Sequence, residues 1–534
     1  MYANTQYRLL FLNPFNGKDV ELPDPPKQSD SLSIGLYEWA RKAAEDSGLS
    51  DTLGKVFGSD DAQQILDMAI YMMSRESAVM QHYPAWARDH VLFSDSVRND
   101  TDLGRFLRDN LTISKIKQFK LKWAVQNLAD GKIYLCYDST NVNCQAEGVF
   151  LVQKGHAKDD PALPQVNTDY VIRQSDGLPL TYMHSPGSVS DIVQAQEMLD
   201  FFKKICKLAG TGVKIVLICD RGYISVKNLK KMKESGIEYI LMLRSNFNAY
   251  CDLASKYTDE LKSYKNKLKT SDGDEKFGLT RTCVLYDGAE ESYAHIIWSE
   301  DLYRSKRDAV GVQINEKRKA LELFIQNSKD KCLEVKEFQS FQDLFNLKLE
   351  ESEPKIIQKK RGRGFETISI PTYKLLGFED NEEAINREYV KCGIYILVSS
   401  EPMTAQEAVN AYSKRDCVEK AFQALKSHLG MDKIGVTTEE AMHGKGLIWF
   451  VASILHALLF NGTESLRITD KKHYTIPAMV DILEALKADK DLSDGTYRRR
   501  YKVTKRQNDI LRQWKIDESL VDEWIADKLN PSAA

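Results

Sequence analysis

Three acids and one patterned segment carry the chemistry available to this sequence. Asp138 closes the apolar run KIYLCYD, Asp220 closes KIVLICD, and Glu419 lies in YSKRDCVEKAFQALK, where Tyr412, Arg415, Glu419 and Lys426 fall at offsets 0, 3, 7 and 14. Side chains just beyond the carboxyl ends of strands in an α/β sheet converge on a crevice, and carboxylate oxygens are the donors Mg²⁺ prefers. Taken singly, each aspartate is as well served by capping a helix or lining a solvated turn, and Arg415 with Glu419 is an ordinary i,i+4 pair. Taken together, three carboxylates can hold two Mg²⁺ ions about 3.5–4 Å apart, which activate a water or a 3′-hydroxyl and stabilise the leaving oxygen of an in-line phosphoryl transfer. Arg415 and Lys426 then bind phosphates, Arg as a planar fork and Lys as a point charge.

The elements that must position these groups are legible from periodicity. At about 100° per residue, Tyr412, Arg415, Glu419 and Lys426 form one stripe of a predicted helix over 404–428. That stripe runs beside a core-facing one of Ala411, Val418, Phe422, Leu425 and Leu429. KIYLCYD reads as a strand followed by the polar turn STNVN. DYVIRQ and LPLTYMH around SDG read as a hairpin, and a helix is predicted over 188–208. KIVLICD reads as a strand buried on both faces, followed by a helix capped by Ser225 and a short strand, YILML. Strands followed by a βαβ pattern predict a mixed sheet with helices on its faces.

The 534 residues predict three or four domains at about 150 residues each. The spacing divides them into a helical region over 1–130, a first part of an α/β core over 131–245, an insertion over 246–385, a second part of the core over 386–465 and a helical C-terminal region over 466–534. With 43% hydrophobic and 28% charged residues the composition is that of an ordinary globular protein. The net charge of −3 excludes globally basic binding, so any nucleic-acid contact must be local. Four local features are each compatible with two roles: TDLGRFLRDNLTISKIKQFKLKW as a helix-turn-helix reader or as short packing helices, Lys359–Arg363 (KKRGR) as a minor-groove arm or a solvated loop, YRRRYKVTKR at 497–506 as a phosphate site or a partner for nearby acids, and His156 as a substrate contact or a structural histidine. Nine scattered cysteines without a CxxC pair speak against a disulfide framework or zinc site and fit a reducing cytosol. No cleavable signal pattern is visible at the N-terminus, and the apolar run Gly446–Phe460 falls short of a span.

Those residues and spacings resemble the DDE transposases of bacterial insertion sequences, in the IS4-like group and closest to its IS1634-type branch. The group's signature is Tyr, two residues, Arg, three residues, Glu, six residues, Lys, and 412–426 matches all four positions; LCYDSTNV and ICDRGYIS resemble its two aspartate motifs. GHAKD at 155–159, PLTYMHSPGSVSD and AMHGKGLIWFVASILHALL also look family-like, so the resemblance covers roughly 130–460. It implies an α/β ribonuclease-H-like catalytic core with a β-rich insertion before the last catalytic helix. Asp138, Asp220 and Glu419 are then the catalytic and metal-binding residues, for two Mg²⁺ ions with Mn²⁺ as substitute, and Tyr412, Arg415 and Lys426 contact DNA. It further implies cleavage at insertion-sequence ends and joining of the 3′-hydroxyl to target DNA. The partners are double-stranded DNA, as terminal inverted repeats and as target, and a second copy in a homodimer on paired ends; no membrane is involved. The expected location is the bacterial cytoplasm, on the nucleoid when DNA is bound. Relatives with such an insertion can cut through a hairpin with an aromatic residue stacked on a flipped base; Trp298 is placed for that role or for a core strand. Two other functions stay open: a ribonuclease-H-like nuclease that hydrolyses without joining, and a transposase-derived DNA-binding protein without catalysis.

Overall fold

The computed structural model describes residues 11–12, 19–20, 29–128, 131–144, 146–155, 163–210, 212–245, 247–270, 273–329, 331–361, 364–431 and 434–531. Along the chain run helices α1 (Ser59–Arg75) and α2 (Ile113–Gln126), then strands β1 (Gly131–Asn143), β2 (Gln165–Arg173) and β3 (Pro179–Pro186). Next come α3 (Asp191–Ala209), β4 (Val213–Cys219), α4 (Val226–Glu234), β5 (Glu238–Met242), β6 (Lys276–Val284), β7 (Glu291–Ser299) and α5 (Glu300–Asn327). The long strands β8 (Phe345–Arg361) and β9 (Gly364–Asp380) precede β10 (Ile394–Ser399), α6 (Ala405–Ser413), α7 (Asp416–His428) and α8 (Glu439–Gly462). The hydrogen-bonded strand order is β3-β2-β1-β4-β5-β10-β7-β6. Strand β4 is parallel to β1 and β5, whereas β10 is antiparallel to β5 and β7, and β6 is antiparallel to β7.

The chain forms two compact units, Met1–Ala129 with Asp138–Val189 and Cys417–Ala534, and Asp130–Tyr137 with Ser190–Asp416. In the first, the apolar helix α8 is the centre of the core. It is long and apolar enough to cross a membrane, yet 78% of its apolar window is buried inside the protein. Phe450 packs its ring 5.0 Å from Tyr182 and 6.1 Å from Tyr170, and a Cβ at Gly444 would come within 2.2 Å of the Leu107 carbonyl, so only glycine lets the helix approach. Helix α2 docks on β3: Trp123 Nε1 donates to the Pro179 carbonyl at 2.9 Å and Lys120 Nζ to the Tyr182 carbonyl at 2.7 Å. Burial pushes the Lys120 ammonium down to about 8. Two of the residues proposed for a DNA-reading helix are thus spent on packing.

The second unit carries the parallel centre of the sheet. Five successive residues of β4, Ile215 to Cys219, are buried, as its continuous apolar run requires. At the opposite end from Asp220, Glu401 forms an ion pair with Lys132 Nζ at 2.6 Å and accepts from Lys214 Nζ, tying the starts of β1 and β4 to the second residue after β10. Of the segment 246–385, β6 and β7 join the large sheet. What stands apart from the sheet begins at Glu300, where α5 packs Ile314 and Leu321 with Leu333, Phe338, Phe345 and Leu375 around the β8–β9 hairpin.

Three predicted elements need correction. First, STNVN is not a turn: β1 continues to Asn143, so Asp138 lies inside the strand, at the point where its neighbour β4 has ended at Cys219. Second, the helix over 404–428 is two helices. Ser413 Oγ donates to the Asn410 carbonyl at 3.1 Å and the Arg415 amide to the Tyr412 carbonyl at 3.0 Å, in a tight turn between the end of α6 at Ser413 and the start of α7 at Asp416. Helical periodicity is therefore not continuous across 412–426. Third, the C-terminal region is not purely helical: Lys487–Lys490 pairs with both Tyr497–Arg499 and Ser31–Ser33.

Candidate active site

Asp220 follows the last residue of β4 and caps a short 3₁₀ turn, Arg221–Tyr223, by accepting from the Arg221 amide at 2.7 Å. The far end of that turn is fixed by Asn228, whose side-chain amide donates to the Tyr223 carbonyl at 2.9 Å and to Ile192 at 3.1 Å. The buried Tyr223 ring lies 4.7 Å from that of Tyr137. Ser225 caps α4 as its type and place predicted, accepting from Asn228 at 3.1 Å. Tyr412 brings its hydroxyl to 3.5 Å from Asp220 Oδ1, and the Arg415 guanidinium sits 5.8 Å from the Tyr412 ring centroid. Asp220, Tyr412 and Arg415 therefore form one constellation within the second unit.

Asp138, Glu419 and Lys426 belong to the first unit. Asp138 Oδ1 accepts from the Ser139 amide at 2.9 Å. The last registered pair of the parallel strands β1 and β4 is Tyr137 with Cys219. Glu419 is exposed and Lys426 partly buried on α7, seven residues and about two turns apart, while Val418, Phe422 and Leu425 are buried on its core side. Carboxylates from β1, β4 and α7 are hard oxygen donors of the kind Mg²⁺ takes. Among the described residues no group of three or more His, Cys, Asp or Glu side chains is gathered closely enough to hold a metal.

The remaining sequence candidates separate clearly. Trp298 is 2% exposed in β7, with Lys262 Nζ 3.5 Å above its ring and Phe277 and Tyr303 alongside, so it is a core residue. His156 lies outside the described residues, as do Gly362 and Arg363 and the side chains of Lys359 to Arg361. In the C-terminal basic cluster, Arg498 pairs with Asp491 and Asp494, Arg499 with Asp522 and Glu518, and Arg500 with Asp489, which makes these three arginines partners of nearby acids.

Residues 130–455, more than half of the chain, match the family model described as the transposase DDE domain. The chain belongs to the transposase DDE domain family. The mixed sheet with its helices is the ribonuclease-H-like core of a DDE transposase. Comparison with curated proteins finds no match. Among solved structures, the chain is similar to one described as a cryo-EM structure of a piggyBac transposase synaptic complex with hairpin DNA, with a TM-score of 0.36 and 10% identity over 94% of this chain and 80% of that one. One residue of this DDE domain that sequence reading passed over is Arg244. It follows the strand YILM by two positions and reaches back to the turn after Asp220; no spacing in the sequence marks it.

Proposed function

We propose that this DDE transposase cleaves DNA at the ends of a bacterial insertion sequence and joins the freed 3′-hydroxyl to target DNA, with Asp138, Asp220 and Glu419 as its catalytic carboxylates. The observation that carries this reading is that Asp220, one residue past β4 inside the matched domain, has the Tyr412 hydroxyl 3.5 Å from its Oδ1 with Arg415 beside the Tyr412 ring. The oxygens of Asp138 and Asp220, with those of Glu419, suit Mg²⁺, or Mn²⁺ in its place. When bound, two such ions supply activation of the attacking hydroxyl and stabilisation of the leaving oxygen. The chain's own groups do the rest. The Tyr412 hydroxyl steadies the Asp220 carboxylate, while Arg415 and Lys426 hold DNA phosphates and keep the scissile strand in line. The signature spacing at 412–426 supports the IS4-like group and its IS1634-type branch. A dimer on paired terminal inverted repeats, in the bacterial cytoplasm, is the assembly this reading expects.

The test is an end-cleavage and strand-transfer assay with the full chain, Mg²⁺ and DNA carrying the inverted repeats that flank the coding region. Release of ends followed by joined product is expected. Ends released without any joined product would instead assign a hydrolytic nuclease, and specific binding without cutting would assign a DNA-binding descendant.

A further inference from the structure

The turn that carries Asp220 is held from a direction that the catalytic signature does not include. Arg244, two residues past β5, donates from Nε to the Arg221 carbonyl at 2.6 Å and from its terminal nitrogen to the Gly222 carbonyl. One planar guanidinium thus spans the first two carbonyls of the 3₁₀ turn whose first amide, that of Arg221, binds the Asp220 carboxylate. Asn228 and Tyr223 secure the far end of the turn; Arg244 secures the end at the acid. On the other side, a Cβ at Gly222 would lie 3.0 Å from Asp191 Oδ2, so the turn is also backed by the start of α3.

We propose that Arg244 is a positioning residue for Asp220, setting the carboxylate's direction through the backbone of residues 221–222. The proposal rests on the reading of Asp220 as a metal-binding catalytic acid. A planar fork fixes two adjacent carbonyls together; the ammonium of a lysine keeps the charge but lacks that pre-organised geometry. Displacement of a reacting group by about 1 Å costs on the order of a hundredfold in rate, so partial release of the turn is expected to be visible in turnover.

The experiment compares wild type, Arg244→Ala and Arg244→Lys as full-length chains in three readouts: steady-state end cleavage, Mn²⁺ binding followed by electron paramagnetic resonance, and thermal unfolding. Arg244→Ala is expected to lower kcat at least about tenfold, leave KM for DNA within about twofold, and weaken Mn²⁺ binding at least about tenfold, as loss of an outer partner of a ligand does. Arg244→Lys is expected to fall between the two, and serves alone if the alanine variant does not fold. Wild-type kcat and Mn²⁺ affinity in both variants would overturn the proposal. So would a raised KM with unchanged Mn²⁺ affinity, which would make Arg244 a DNA contact. If the wild-type chain cuts no DNA, the transposition reading fails while the Mn²⁺ comparison still decides the positioning role; a wild type that binds no Mn²⁺ overturns both.

Discussion

Tyr412 shows how much a single atom contributes at this site. Its hydroxyl approaches Asp220 Oδ1 at 3.5 Å, a long contact between a neutral donor and a carboxylate, while its ring lies under the Arg415 guanidinium. At that length the contact is worth no more than about 0.5 kcal/mol, so Tyr412→Phe is expected to slow end cleavage about twofold and leave DNA affinity unchanged. Tyr412→Ala also removes the surface beneath Arg415 and is expected to weaken DNA binding as well. Cleavage rates and band-shift affinities measured on the same preparations separate the two effects, and equal rates for Tyr412→Phe and wild type would remove the hydroxyl from the account. At this scale the sequence was informative about residue types, because an acid after an apolar strand and a fixed Tyr-Arg-Glu-Lys spacing constrain chemistry directly. It was silent on Arg244, whose role depends on two carbonyls more than twenty positions earlier.

At the scale of elements, periodicity located strands and helices well and their ends poorly. The β2–β3 hairpin follows from the turn residues SDG between two strand-like runs, and the buried strand β4 from a continuous apolar run. The continuation of β1 past Asp138 does not, because STNVN is a turn composition that the adjacent strand β2 holds extended. The break between α6 and α7 leaves no trace in the apolar pattern. The base of the sheet allows a prediction. Burial pushes the Glu401 carboxylate up, and the ammonium groups of Lys132 and Lys214 more than reverse this, leaving it below the usual carboxylate range. A carboxylate depressed in the folded state stabilises above its unfolded pKa and loses that contribution as pH falls through the folded one. Glu401→Gln is therefore expected to lower the melting temperature by about 2 °C near neutrality, for a loss of about 1 kcal/mol. The difference should disappear in acid below the ordinary carboxylate range. A deficit that persists unchanged there would point to packing instead of charge.

At the scale of the whole molecule, three arginines of the most basic C-terminal stretch are paired with acids of the same unit. Arg498→Ala and Arg500→Ala are accordingly expected to leave the salt dependence of DNA binding unchanged, whereas a phosphate-contacting arginine would lower the log–log slope by about one. The first unit also holds partly buried histidines. Burial pushes His184 well below its ordinary value, His443 to about 4 and His456 to about 3. Each stays neutral when folded and takes up a proton on unfolding below about pH 6.5, so each costs stability as pH falls. Glu38 and Asp67, which burial pushes up to about 9 and about 6, act in the opposite sense. The net slope is a balance of these, and the cleaner observable is the difference made by one residue. His456→Gln should flatten the acid dependence by about 1.4 kcal/mol per pH unit between about pH 6.5 and 4, read from melting curves, and parallel curves for the two proteins would contradict a neutral, partly buried imidazole. The central claim concerns Asp220, and end cleavage by Asp220→Ala in Mg²⁺ tests it most directly. Because loss of even an outer partner of a metal ligand costs about 10–100-fold, the variant is expected to lose at least about a hundredfold in cleavage while binding end DNA as wild type does; cutting at the wild-type rate would contradict the account.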